Sequence, residues 1–449
     1  MKQTHSYSQK TIQFFSVLLP IFITQLAIIS TGFFDTVMSG HVSEQDLAGV
    51  AIGSNIFFPF FGSSLGIISG LTPSIAHFFG AQRYNMIKFV VQQGFYWAIL
   101  LSLIFISAGY IFIPSIIPHL HLTSHVEYIF THYLLAIAFG ICPIFVAGVL
   151  RNFIDALGFT KLTMLITVVT VPVNIFLNYL FIFGNWGCPA LGGIGAGVGS
   201  AITYYVNLLL NILVITHIKP FCQYNIFNKF PKPSIYEWKK QLSIGIPIGC
   251  TMFCEQSIFG AVGLFMTSYG TIIIAAHQAA MNFTTMVYMI PLSISMTLTI
   301  IIGYELGAKR YTDALTYSRM GRIFSFIFAA VLASILINFR AEIASLYTND
   351  TAVKEIITVF LIYAVCMQVS DGINAPLQGT LRGYKDVKTT FYLAVLSYWI
   401  IGLPLGWIIA NYFNMGPYGY WIGLISGILS GAILLNIRLK IVEKKYLYI

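Results

Sequence analysis

Long, uninterrupted apolar segments separated by short polar loops dominate the chain. Continuous runs of about 20 apolar residues favour membrane-spanning helices over the alternating strands of a barrel. The pattern therefore predicts an all-α integral membrane protein with about twelve transmembrane helices. The predicted spans are 14–39, 47–78, 89–113, 129–150, 162–184, 194–217, 242–269, 275–303, 316–338, 354–376, 389–412 and 418–438.

The composition agrees with a bilayer as the solvent of this protein. Of its 449 residues, 57% are hydrophobic and 9% are charged, whereas a soluble domain carries roughly a quarter of charged residues. The first apolar stretch follows a polar stub with Lys2 and Lys10, and it contains Asp35, which the apolar region of a cleavable signal peptide would not. We therefore expect this segment to be the first span.

The net charge of +9 is explained by the orientation of the chain in the membrane. All lysines and arginines except Arg340 and Lys354 fall in segments on one side of the predicted spans. The positive-inside rule then places both termini and the central linker in the cytoplasm, with the chain in the plasma (bacterial inner) membrane. Because the charges are distributed in this way, no nucleic-acid partner is expected.

The two halves of the chain repeat each other. The segment 80–84 (GAQRY) matches 307–311 (GAKRY) at an offset of 227 residues, and the same offset pairs Pro20 with Pro247. With six spans in each half, the halves have the same orientation and are related by a pseudo-two-fold axis along the membrane normal. The predicted organisation is an N-terminal six-helix lobe (1–218), a cytoplasmic linker (219–240) and a C-terminal six-helix lobe (241–449).

Three acidic residues, Asp35, Glu255 and Asp371, lie inside predicted spans. A carboxylate at bilayer depth costs about 2.5–3.5 kcal/mol on insertion scales, so each should face a cavity or a partner. No lysine or arginine is predicted at mid-span to neutralise them. They could carry a proton or hold a desolvated sodium ion, or they could be structural groups satisfied by hydrogen bonds between helices. The residues alone leave these alternatives open.

Neutral polar residues accompany these acids. Asn174 and Asn178 are spaced i, i+4 and share one face of the fifth span, where they could form a cluster with Asp35. The alternative is that they are hydrogen-bonding residues between helices. In the second half, the candidates to join Glu255 and line a substrate cavity are Tyr288, Asn282 and Gln368.

Pro20 and Pro247 lie at equivalent positions inside the first and seventh spans. A proline inside a helix removes one backbone hydrogen bond and kinks the helix. The two residues are therefore candidate hinges, with a static bend as the alternative. Aromatic residues make up 15% of the chain, and a cavity lined by aromatic rings and carboxylates would suit lipophilic, planar cations.

Several motifs of other function classes are absent. The sequence has no Gly-x-x-x-x-Gly-Lys-Ser/Thr loop, so ATP is not expected to drive the protein. It has no His-Glu-x-x-His or Gly-x-Ser-x-Gly motif and no visible nucleophile–base pair, so we do not expect an enzyme. No cofactor is expected apart from a coupling ion.

Four segments resemble the multidrug and toxic compound extrusion (MATE) family in its NorM-type branch. They are 33–40 (FFDTVMSG), 275–278 (AAHQ), 381–386 (LRGYKD) and 397–404 (SYWIIGLP). The resemblance covers nearly the whole chain. It implies twelve helices in two bundles and cation-coupled export of organic cations.

The resemblance also implies roles for individual residues. Asp35 corresponds to the family's first-helix acid, and Glu255 and Asp371 to two C-lobe acids associated with cation binding. Tyr288 corresponds to an aromatic residue near them, and Asn174 and Asn178 to amides of the N-lobe. Archaeal and DinF-type members carry an Asp where this chain has Asn178, which argues against a proton mechanism confined to the N-lobe. The retained Glu255 and Asp371 favour sodium.

We therefore predict a secondary antiporter that works as a monomer and exchanges small lipophilic cationic drugs and dyes for sodium or protons by alternating access. The first alternative is a flippase for lipid-linked oligosaccharides, whose phosphates would need Arg or Lys deep in the cavity. A channel and an intramembrane enzyme are further alternatives. The predicted placement of every basic residue outside the span centres argues against the flippase.

Overall fold

A computed structural model describes residue 1, residues 3–120 and residues 122–447, which leaves Lys2 of the predicted cytoplasmic stub outside the described residues. Every regular element in the described part of the chain is a helix. The α-helices are α1 (Tyr7–Gly40), α2 (Glu44–Ser69), α3 (Leu71–Gly80), α4 (Tyr84–Ile116), α5 (Ser124–Ala156), α6 (Thr160–Phe183), α7 (Gly193–His217), α8 (Ile235–Met266), α9 (Thr271–Gly307), α10 (Tyr311–Tyr347), α11 (Thr351–Gly383), α12 (Val387–Val395), α13 (Leu403–Asn411) and α14 (Pro417–Leu447).

These helices confirm the predicted all-α class and number of spans, because 12 helical segments among the described residues are long and apolar enough to cross a membrane. Two spans are interrupted. α2 and α3 are separated at Gly70, and a π-helix, Leu396–Gly402, joins α12 to α13. Several helices extend beyond the predicted ends, as at α11, which continues to Gly383 where the hydropathy ended at 376. Hydropathy detects the part of a helix in hydrocarbon, and polar turns beyond that part remain helical.

The structure forms two compact units. Unit 1 comprises Met1 and Leu19–Gly249, and unit 2 comprises the described residues of Lys2–Leu18 and Cys250–Ile449. The predicted lobes follow the sequence repeat, but the compact units do not. The first segment of α1 belongs to unit 2, and the first segment of α8 belongs to unit 1. Pro20 and Pro247 lie beside the two points at which these helices pass from one unit to the other.

Side-chain contacts hold the first segment of α1 within unit 2. The Lys10 ammonium lies 2.9 Å from the Asp313 carboxylate, which neutralises a buried cation. The Phe14 ring packs on Phe324, with 5.6 Å between ring centroids. An ion pair and aromatic packing therefore anchor this segment to α10.

The first segment of α8 is held within unit 1 by neutral hydrogen bonds. Trp97 donates from its indole nitrogen to Gln241 at 2.6 Å, and Trp238 donates to Gln93 at 2.9 Å. The predicted linker also packs on α4, because the carbonyl oxygen of Ile226 accepts a hydrogen bond from Gln92 at 2.6 Å. The linker is thus a packed part of unit 1.

Close helix packing in unit 2 brings α9 and α11 together at Gly379. A β-carbon at Gly379 would overlap the backbone carbonyl of Ser295, and a backbone atom can move little to relieve the overlap. We therefore expect Gly379→Ala to destabilise the protein by about 1–3 kcal/mol, the usual cost of overpacking. A lowered thermal midpoint of the detergent-solubilised protein measures this effect.

Gly260 supplies the matched control for this substitution. It also lies inside a helix, α8, but a β-carbon there would meet no atom within 4 Å. Gly260→Ala should leave the midpoint unchanged or raise it slightly, because alanine favours the helix by up to about 1 kcal/mol. Equal midpoints for the two variants would show that α9 and α11 do not depend on this close approach.

Candidate cation and substrate sites

Asp35 lies in a closed network of polar side chains in unit 1. Its two carboxylate oxygens accept hydrogen bonds from Asn178 Nδ2 at 2.6 Å and from Ser200 Oγ at 2.8 Å. Asn174 completes the network, since it accepts from Asn178 at 3.2 Å and donates to Ser200 at 3.2 Å. α1, α6 and α7 thus contribute to one buried cluster.

The structure therefore brings together the three first-half residues that the sequence singled out and adds Ser200. The signal for Ser200 in the sequence was weak, because its only distinguishing feature is a repeat partner, Ser426, at an offset of 226 residues. Nothing in the sequence places α7 beside α1, so the proximity of Ser200 and Asp35 depends on helix packing.

The cluster offers oxygen ligands to a cation. Asp35 forms no ion pair among the described residues, and the buried Oδ1 atom of Asn178 has no hydrogen-bond partner there. Gly199 makes room for this oxygen, because a β-carbon at Gly199 would overlap it. Carboxylate, amide and hydroxyl oxygens are the ligands that hard cations prefer. The cluster can accordingly accept a small cation or a proton.

Unit 2 contains a cavity of about 370 Å³. Glu255 from α8, Tyr288 from α9, Asp371 from α11 and Tyr398 from the π-helix all line it. Much of the remaining wall is apolar and is formed by Met252, Phe259, Met281, Met289, Leu292 and Met367. Neutral polar groups come from Gln256, Thr284, Thr285, Ser295 and Gln378. The cavity thus combines an apolar wall with two carboxylates.

Glu255 lies at the centre of a chain of hydrogen-bonded side chains. Its Oε1 atom accepts from Gln378 Nε2 at 2.6 Å and from the Tyr398 hydroxyl at 3.2 Å. Tyr398 accepts from Asn374 at 2.9 Å, and Gln378 accepts from Arg382 Nη2 at 3.1 Å. The chain therefore links an amide at one end to a guanidinium at the other.

Asp371 differs from Glu255 because its carboxylate has no hydrogen-bond or ion-pair partner in the part of the chain that the structure describes. It is nevertheless buried, with 7% of its surface exposed, and it lines the same cavity. A desolvated carboxylate without a partner is unfavourable. A bound cation or a proton would supply the missing partner.

Two residues that we expected near Glu255 lie elsewhere. The Gln368 amide donates to the backbone carbonyl of Thr284 at 2.9 Å and joins α11 to α9. Asn282 accepts from the Tyr347 hydroxyl at 3.1 Å at an exposed position. Neither residue lines the cavity, whereas Tyr288 does.

The predicted position of Arg382 was wrong. The sequence placed this residue in a loop after the tenth span, but α11 continues to Gly383, and Arg382 is 6% exposed and lines the cavity. The predicted span ended early because Gln378, Thr380 and Arg382 lower the hydropathy of the last turns of the helix. A helical signal was present, since Asp371, Gln378 and Arg382 are spaced i, i+7 and i+11, which places them on one face of a helix.

The prolines lie inside their helices as expected. The carbonyl oxygen of Pro20 accepts a hydrogen bond from Thr24 Oγ1 at 2.8 Å, within the same turn of α1. The role of Pro20 and Pro247 as hinges remains a prediction.

Known proteins similar to this chain agree in family and fold. The MatE family model matches residues 20–180 and 247–408, one match in each half. The chain is 47% identical to the probable multidrug resistance protein NorM of Halalkalibacterium halodurans, over 99% of this chain and 97% of that protein. It is 46% identical to the probable multidrug resistance protein NorM of Bacillus subtilis, over 99% of both chains.

Solved structures share the fold at low sequence identity. The eukaryotic MATE transporter AtDTX14 superposes with a TM-score of 0.85 at 18% identity, covering 97% of this chain and 98% of that one. The Vibrio cholerae MATE transporter VcmN in its bent form gives a TM-score of 0.82 at 20% identity, over 97% of both chains. The two family matches and the full-length relatives together identify the chain as a member of the MatE family, the multidrug and toxic compound extrusion proteins, in its NorM-type branch.

Proposed function

We propose that this protein is a secondary multidrug efflux transporter that exchanges hydrophobic organic cations for sodium or protons, with sodium favoured. The observation that carries the proposal is the cavity of unit 2, in which Glu255 and Asp371 face an apolar wall. The names of the full-length relatives, probable multidrug resistance proteins, support the same function.

The wall of this cavity suits ligands that are both apolar and positively charged. Flexible methionine side chains adapt to irregular apolar shapes, and the faces of tyrosine and phenylalanine rings attract cations. Two carboxylates and one guanidinium line the cavity, so carboxylates outnumber cations there. An organic cation would therefore be bound by charge as well as by apolar contact.

Coupling follows if an inorganic cation and the organic cation compete for the same carboxylates. Binding of sodium or a proton at Glu255 and Asp371 would displace the substrate, and each ligand would shift the conformational equilibrium by its differential affinity for the two states. The Asp35 cluster is proposed as a second cation-responsive site. Pro20 and Pro247 are proposed as the hinges of α1 and α8.

We further propose that the protein is a monomer in the plasma (bacterial inner) membrane with both termini in the cytoplasm. The distribution of basic residues supports this orientation.

The position of Arg382 favours a second candidate, the oligosaccharide flippase, because a basic residue in the cavity is what a lipid-linked phosphate would require. The two carboxylates in the same cavity oppose this assignment, since they would repel a phosphate. Antiport of cations is therefore the better-supported function.

The purified protein in proteoliposomes tests the proposal. We expect an imposed sodium gradient to drive movement of ethidium against its own gradient without ATP, and we expect a proton gradient to be less effective. Ethidium movement at the same rate with and without either gradient would contradict antiport and indicate a channel. Translocation of a lipid-linked oligosaccharide by the same vesicles, without ethidium transport, would support the flippase instead.

A further inference from the structure

Arg382 is a buried cation that lines the cavity of unit 2. Its guanidinium donates one hydrogen bond, to the Gln378 side chain at 3.1 Å, and forms no ion pair among the described residues. Two other cations of unit 2, Lys10 and Arg310, lie 2.9 Å and 2.5 Å from carboxylates. A guanidinium has five N–H donors, so most of the hydrogen-bonding capacity of Arg382 is unused by the described residues.

The corresponding position in the first half has the opposite charge. α5 and α11 end at the repeat offset of 227 residues, and this offset pairs Arg382 with Asp155 and Gln378 with Arg151. Arg151 and Asp155 form an ion pair at 3.6 Å in unit 1. In unit 2, Arg382 lines the cavity instead. The residue four positions before it is the neutral Gln378, whereas the residue four positions before Asp155 is the charged Arg151.

Gln378 links Arg382 to Glu255. Its carbonyl oxygen accepts from Arg382, and its amide nitrogen donates to Glu255 at 2.6 Å. The reverse orientation of the amide would place its nitrogen against the guanidinium and its oxygen against the carboxylate, which satisfies neither group. Arg382 therefore fixes a hydrogen-bond donor on one of the two acids of the cavity.

We propose that Arg382 is a positioning residue that weakens the binding of cations to the carboxylates of this cavity, so that a bound cation can be released. The inference rests on the proposed function. The positive charge of Arg382, one amide group away from Glu255, repels an incoming cation, and the donor that Arg382 holds on Glu255 occupies one lone pair that a cation would use. Without Arg382, the two carboxylates would retain a cation more strongly and slow its exchange.

The variant Arg382→Gln tests this role. At the effective dielectric constant of protein sites, loss of a unit charge separated from Glu255 by one amide group should strengthen cation binding on the order of tenfold. We expect both the dissociation constant of ethidium and the sodium concentration that half-saturates ethidium transport to fall by about this factor. We also expect the maximal transport rate to fall, because release becomes slow.

An uncharged probe separates charge from structure. The neutral compound 3,8-diamino-6-phenylphenanthridine shares the ring system of ethidium, and its affinity should not change in Arg382→Gln.

Arg382→Lys retains the charge and should bind ethidium nearly as the parent protein does. Gln378→Met removes the donor from Glu255 and should shift ethidium affinity in the same direction as Arg382→Gln, which provides a second route if that variant fails to fold. Arg322→Gln is a matched control, because Arg322 pairs with Glu443 at 3.8 Å and does not line the cavity.

The outcomes distinguish this inference from the proposed function. Unchanged or weakened ethidium binding in Arg382→Gln, or equal tightening for the neutral compound, would overturn the role of Arg382 and leave cation antiport intact. Absence of any sodium or proton response in the parent protein would overturn the coupling mechanism, while ethidium binding would still test Arg382.

Discussion

Cation-driven efflux should be nearly lost when either carboxylate of the unit 2 cavity is neutralised. Glu255→Gln and Asp371→Asn each remove a charge that would bind the coupling cation. Charge-assisted contacts contribute about 1.5–3 kcal/mol, which corresponds to a rate reduced by about tenfold to a hundredfold. The measurement is the initial rate of ethidium transport in proteoliposomes under a sodium gradient, normalised to the amount of reconstituted protein.

The two variants should differ in stability. Asp371 has no hydrogen-bond partner among the described residues, so Asp371→Asn removes an unfavourable buried charge and should keep or raise the thermal midpoint. Glu255 accepts two hydrogen bonds at its Oε1 atom, and Glu255→Gln exchanges these charge-assisted bonds for weaker neutral ones, so the midpoint should fall. Loss of transport without loss of stability in Asp371→Asn would tie the defect to charge.

Glu355→Gln is the control for these variants. Glu355 lies on the same helix as Asp371 but is exposed, so its neutralisation should leave transport unchanged. Transport at the parent rate in both cavity variants would show that coupling does not use this cavity.

A similar loss is expected for Asp35→Asn in unit 1. The amide oxygen can still accept from Asn178, and the Ser200 hydroxyl can rotate to accept from the new amide group. The network should therefore persist while the charge disappears. If the cluster responds to cations, ethidium transport should fall by about tenfold to a hundredfold, measured in the same proteoliposomes.

Ser200→Ala provides a graded comparison within the same cluster. It keeps the Asp35 charge and removes one neutral donor, which is worth about 0.5–1.5 kcal/mol. Transport should fall by less than about tenfold. An Asp35→Asn protein that transports ethidium at the parent rate would remove the unit 1 cluster from the mechanism and leave the unit 2 cavity as the coupling site.

The residue types around each acid were only partly predictable. Asn174 and Asn178 were identified because an i, i+4 spacing fixes their common helix face, which is a local property. Tyr398 and Gln378, the direct partners of Glu255, come from other helices, 143 and 123 residues away along the chain. Asn282 and Gln368 were predicted beside Glu255 because they lie on suitable spans, but the rotation of α9 and α11 turns them towards other partners.

The sequence by itself determined the membrane environment, the twelve spans, the internal repeat and the three intramembrane acids. Each of these depends on local quantities: the free energy of transferring a segment into hydrocarbon, or the cost of a single charge at depth. Only the tertiary structure decided that Arg382 faces the cavity, that Gln378 connects it to Glu255, and that Asp371 has no hydrogen-bond or ion-pair partner among the described residues. Those relations depend on where helices end and how they rotate against their neighbours, which packing between distant segments determines.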